Sequence, residues 1–113
     1  MTTETKTNIQ WQTVCSLNDL LPNLGVRALI NGAQIAVFKV KDTLYAIDAI
    51  DPFTRAAVLA RGIVGDLQGQ LVVASPIYKQ HYNLITGQCL EDENVKVNVY
   101  AVRAENGLVE IQA

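Results

Sequence analysis

Tight-turn dipeptides separate a series of short apolar runs in this chain, and that spacing constrains its fold more than any other feature. Asn31-Gly32 is the strongest of these signals. A type I′ hairpin turn needs positive φ at both central residues, and asparagine and glycine tolerate it. Lys41-Asp42, Thr86-Gly87 and Asn106-Gly107 make further reversals. The runs between them fall at Trp11–Ser16, 25–30, 34–40, Thr43–Asp48, Gln70–Ala74, 81–84, 88–90 and Leu108–Gln112. Val95, Val97 and Val99 alternate with Lys96 and Asn98, which predicts a half-buried strand continuing to Arg103. Residues 17–24, with Asn18, Asp19, Pro22 and Asn23, read as a short helical turn or loop. The whole predicts an all-β sandwich or barrel of short antiparallel strands.

The chain has 113 residues, the size of one domain, and is large enough to bury a core without disulfides or a metal. Half of the residues are apolar and 18% are charged, which fits a compact domain rather than a disordered chain. Residues 1–8 are polar, lack the apolar stretch of a signal peptide and are expected to form a flexible tail, leaving 9–113 as a single domain. Net charge is -2 and the basic residues are scattered, so no nucleic-acid-binding patch is visible. No apolar run approaches the roughly 18 residues that cross a bilayer. Without an export signal the expected location is cytoplasmic, with Cys15 and Cys89 as free thiols that behave as small buried apolar residues. Glu91 to Glu93 read as a solvated acidic loop.

Two loops interrupt the strand pattern. Residues 50–65 open on Ile50-Asp51-Pro52-Phe53, and the residue before a proline is pushed away from helix. Residues 54–60 (TRAAVLA) are good helix formers and stop at Arg61-Gly62, a cation and a glycine that end a helix. The expectation is a long structured loop with one short helical turn, and loops of that length in a compact domain are usually functional. The second loop opens on Ser75-Pro76-Ile77-Tyr78 and leads to Tyr82-Asn83-Leu84-Ile85-Thr86-Gly87. In both, a proline directly follows a small or polar residue at the end of a strand.

With those motifs, the chain resembles the Rieske [2Fe–2S] family from about Trp11 onward. In that family the two proline-marked loops supply two cysteines and two histidines, which hold one iron each pairwise. Alignment on Pro52, Pro76 and Thr86-Gly87 puts Asp51 and Ser75 at the cysteine positions and Phe53 and Tyr78 at the histidine positions. Phe53 has no donor atom, Ser75 and Tyr78 offer neutral hydroxyls, and Asp51 offers a hard carboxylate where a soft thiolate is needed. Two cysteines and one histidine in the whole chain are three ligands against four. No metal ligand and no catalytic residue is therefore expected. Asp51 is read either as a retained metal-site carboxylate or as a turn former that accepts a backbone N–H. His81, the sole histidine, reads as a hydrogen-bonded strand residue, and no serine–histidine–acid spacing accompanies it.

Within the Rieske family, the loop at Ile50 to Phe53, Leu59-Ala60-Arg61-Gly62, Ala74-Ser75-Pro76 and Cys89-Leu90-Glu91-Asp92-Glu93 resemble the cluster-less small subunits of bacterial NAD(P)H-dependent nitrite reductases. The resemblance implies a non-catalytic accessory subunit of a cytoplasmic enzyme that reduces nitrite to ammonium. It implies no cofactor in this chain, with FAD, sirohaem and an iron–sulfur cluster on a large-subunit partner, and neither nucleic acid nor membrane as a partner. Phe53, Ile77 and Tyr78 are the candidate interface residues, because aromatic and apolar side chains anchor interfaces; Phe53 and Tyr78 could instead only plug the vacated space. The alternatives are a freestanding Rieske-fold protein-interaction module or an electron carrier with an atypical metal site.

Overall fold

The structure is a computed structural model that describes residues 10–77 and 79–112. The expected tail at residues 1–8 and the candidate interface residue Tyr78 lie outside the described residues. The element order is β1 (Trp11–Ser16), a 3-10 turn (Leu17–Asp19), β2 (Val26–Ile30), β3 (Ala33–Val40) and β4 (Thr43–Asp48). A second 3-10 turn (Leu59–Arg61) follows, then β5 (Ile63–Leu67), β6 (Gln70–Ala74), β7 (His81–Asn83), β8 (Val99–Tyr100), β9 (Val102–Glu105) and β10 (Leu108–Gln112). The strands form three antiparallel sheets in the orders β1-β10-β9, β2-β3-β4-β8 and β5-β6-β7.

The central sheet owes its place to β3. Because side chains alternate across a strand, Ile35 and Val37 enter one core while Ala36 and Phe38 enter another. A strand buried on both faces needs an unbroken apolar run, and β3 supplies one from Ile35 to Phe38. The first core joins Ile35 and Val37 to Leu20, Ile30, Ala46, Val109 and Ile111. The second joins Ala36 and Phe38 to Ile47, Leu59, Val73, Tyr82, Leu84 and Cys89. Burying a side chain such as Phe38 or Ile47 stabilises the fold by about 2 kcal/mol.

The turns follow the dihedral logic of the sequence. Asn31 and Gly32 take φ of 50° and 85°, and Asn106 and Gly107 take 53° and 78°, as type I′ turns require. The β5–β6 hairpin uses the same device at Gln68 and Gly69, with φ of 55° and 77°. Its first strand was not anticipated. The loop expected over 50–65 ends at Gly62, and Ile63–Leu67 pairs with β6. Gly65, Asp66 and a largely exposed Ile63 give that edge strand no apolar alternation to read. Gly62 is required by close packing, since a Cβ there would lie 2.5 Å from the Ala74 carbonyl oxygen and 2.5 Å from Val73 Cγ2.

The valine alternation misled in the other direction. No strand covers 95–98, and the expected strand to Arg103 is replaced by two short pieces, β8 and β9. Val97 is buried, but Val99 is 43% exposed. The segment spends its backbone bonds on residues 87–89 instead, with the Cys89 N–H donating to Val95 O and the Val97 N–H to Gly87 O. The helical turn of the first loop is also shorter than residues 54–60 suggest, occupying Leu59–Arg61 with Leu59 buried beneath it.

Candidate functional site

The two proline loops share one backbone template. In the first, the Asp51 N–H donates to Ala56 O at 2.9 Å and the Arg55 N–H donates back to Asp51 O at 2.7 Å. In the second, the Ser75 N–H donates to Gln80 O at 2.8 Å and the Lys79 N–H donates to Ser75 O at 3.0 Å. The opening residue's side chain accepts the N–H two residues on in each case. Asp51 Oδ1 accepts from Phe53 at 2.9 Å, and Ser75 Oγ accepts from Ile77 at a longer 3.4 Å. The fourth residue after the opening one is left-handed in both, Arg55 at φ 61° and Lys79 at φ 63°. The prolines follow the opening residues, where a fixed φ favours the turn.

The opening residues meet. Ser75 Oγ donates to Asp51 Oδ2 at 2.6 Å, and the Tyr82 hydroxyl, from β7, donates to Asp51 Oδ1 at 3.0 Å. Asp51 is 0%, Ser75 1% and Tyr82 0% exposed. A buried carboxylate is costly unless its lone pairs are met, and here three donors meet them. The short hydroxyl–carboxylate bond is of the charge-assisted kind. Burial, reinforced by the bond to Asp51 and its charge, pushes the Tyr82 phenol well above its ordinary pKa, so the hydroxyl keeps the proton it donates. The turn reading of Asp51 is thus present in the bond to Phe53, while the bonds to Ser75 and Tyr82 are additional. Tyr82 was overlooked as a functional residue. Its position between two part-exposed neighbours on a strand, and the need of a buried phenol for a partner, are the signals that could have found it.

Beyond this lock, both loops turn apolar side chains outward. Phe53 is 39% and Ile77 48% exposed, beside exposed Pro52 and Pro76. Arg55 and Lys79 are exposed as well.

The remaining donors are placed elsewhere. His81 Nδ1 lies 2.7 Å from Glu91 Oε2, and the His81 backbone N–H donates to Glu91 Oε1 at 2.7 Å. Burial alone would raise the Glu91 pKa, but these bonds and the histidine charge outweigh it and hold it below the usual range. Cys89 is buried in the core with Tyr82 and Leu84, its thiol 3.7 Å from Glu91 Oε1; Cys15 packs half-buried against the other core. Burial raises the pKa of both thiols, which opposes the thiolate that metal binding needs. Among the described residues no group of three His, Cys, Asp or Glu side chains is arranged to hold a metal ion.

The residues therefore do not fit a [2Fe–2S] cluster. Asp51 and Ser75 bond directly to each other, which occupies the oxygens either could offer a metal, and Phe53 has no donor atom.

Comparison with known proteins supplies the family. Residues 10–112 match the Rieske-like [2Fe–2S] domain family. The nitrite reductase (NADH) small subunit of Salmonella typhimurium is 45% identical over 105 residues, covering 91% of this chain and 97% of that one. A crystal structure described as an NADH-dependent nitrite reductase small subunit from Mycobacterium tuberculosis superposes with a TM-score of 0.88 at 41% identity, covering 93% of this chain and 96% of the other. The nitrite reductase [NAD(P)H] large subunit of Klebsiella oxytoca is 37% identical over 99 residues, 88% of this chain but only 10% of that protein. On its length, its fold and its relatives, this chain belongs to the Rieske-like [2Fe–2S] domain family, among the small subunits of nitrite reductase.

Proposed function

We propose that the chain is the accessory subunit of a cytoplasmic NAD(P)H-dependent nitrite reductase, reducing nitrite to ammonium, and that it works by docking its two-loop tip onto the large subunit. The observation that carries this reading is the lock of Asp51, Ser75 and Tyr82. It ties the two loops together through Asp51 and Ser75, which the family resemblance puts at cysteine positions, so the tip offers shape and apolar surface rather than a redox centre. Phe53 and Ile77 sit two residues beyond the locked pair and are the anchors of the docking face, with Tyr78, next in sequence after Ile77, as the third candidate. Flavin, sirohaem and iron–sulfur chemistry then belong to the large subunit.

The Klebsiella relative supports the partnership. A domain like this one occupies a tenth of a nitrite reductase large subunit there, which is the arrangement expected if the two parts work in one assembly. The test is mass spectrometry of the native complex isolated through a tag on this chain, with iron analysis of the separated subunit. Recovery of a large flavin- and sirohaem-containing chain with an iron-free small subunit is the expected result. Recovery without such a chain, or about two irons per small subunit, overturns the reading.

A further inference from the structure

The tip carries a charge pattern as well as an apolar one. Arg55 and Lys79 hold the same place in the two loops, four residues after the locked side chain, and both are exposed. Both have left-handed backbone, as Asn31, Asn106 and Lys41 do in the hairpin turns. Neither cation has an acidic partner among the described residues, whose ion pairs are His81 with Glu91 and Arg103 with Glu110. The one acidic side chain in the two loops is Asp51, and it is buried and spent on three donors. A chain of net charge -2 thus exposes two cations on the same two loops that expose Phe53 and Ile77.

We propose that the tip's partner surface is an apolar recess bordered by carboxylates, which Arg55 and Lys79 engage while Phe53 and Ile77 enter it. This rests on the docking reading above and specifies the chemistry of the large subunit's receiving face. Rim charges of this kind steer encounter and set salt dependence, so they act mainly on the association rate. Screening shortens to a few ångströms at high salt, and the contribution fades there.

The test is a binding titration of the holo large subunit against the wild-type chain and the Arg55→Asn/Lys79→Asn double variant. Asparagine keeps the left-handed backbone and removes only the charge and length. Lys41→Asn is the control, because Lys41 is also exposed and left-handed, at φ 56°, in the β3–β4 turn. The expected result is about a tenfold weaker Kd for the double variant at low salt, carried by slower association and vanishing at about 0.5 M salt. The control stays within about twofold, and the charge-keeping pair Arg55→Lys/Lys79→Arg binds like wild type. Thermal melts confirm that each variant is folded. A double variant that binds like the control overturns the acidic-partner proposal and leaves the docking reading standing. A wild-type chain that does not bind at all overturns both.

Discussion

The two proline loops are built alike and supplied differently. They share the 51–56 and 75–80 hydrogen-bond rings, the proline after the first residue and the left-handed cation at the fifth. The first loop brings an acceptor with two oxygens and a buried anchor, Leu59, whose N–H also donates to Ala49 O at 3.0 Å. The second brings a single hydroxyl. A carboxylate can serve several donors at once, whereas a hydroxyl has one hydrogen to give. Asp51 is therefore the hub and Ser75 a spoke, and a shared hydrogen-bond pattern does not make the loops equal in consequence.

The hub should fail hardest. Asp51→Ala leaves the Phe53 N–H and the hydroxyls of Ser75 and Tyr82 without an acceptor, and should cost about 4 kcal/mol in urea unfolding. A loss near that of the spoke would break the asymmetry. Ser75→Ala removes the 2.6 Å bond between the loops but leaves the carboxylate two donors, so about 2 kcal/mol is expected from the same measurement.

Tyr82→Phe, which deletes the longer bond, should cost about 1.5 kcal/mol and also alter the alkaline limb of stability. A phenol whose pKa is raised by folding contributes stability that is complete below its ordinary pKa, about 10, and declines as pH rises towards the folded value. Tyr100, pushed up to about 12 by burial and its bond to Asp48, follows the same rule. Unfolding free energy of the wild type should therefore fall as pH rises from about 10 to about 12 and beyond. Tyr82→Phe should flatten part of that fall, and an unchanged slope would show that the phenol's proton is not held by the lock.

The smallest effects belong to the exposed side of each loop. Phe53→Ala and Ile77→Ala should each weaken large-subunit binding by up to about tenfold while barely moving the urea midpoint. His81→Ala should stay within about twofold, because its ring is engaged with Glu91 rather than with the tip. Equal, negligible effects for all three would remove the docking face from Phe53 and Ile77.

Much of this was readable in advance, and the gaps have physical causes. Hairpins with dihedral-specific residues, such as Asn31-Gly32 and Asn106-Gly107, announce themselves because local sterics decide them. The edge strand at Ile63–Leu67 did not, because one partner strand and an exposed face leave no hydrophobic alternation in the sequence. Val95 to Val99 misled because tertiary bonds to Gly87 and Cys89 outcompeted the local pattern. At the site, the unsuitability of Asp51, Phe53 and Ser75 as iron ligands followed from side-chain chemistry alone. The closed polar network that joins Asp51 and Ser75 to Tyr82 needed three dimensions, since Tyr82 lies 31 positions from Asp51 along the chain.

The pairing of β1 with β10 has its own consequence. Trp11 faces Gln112 across one ladder, so the points at which the polypeptide enters and leaves the domain are neighbours. A unit wired in this way can be spliced into a longer chain through a single doorway, without prising apart either loop. That wiring suits a module met both as a separate small subunit and as a tenth of a much longer relative.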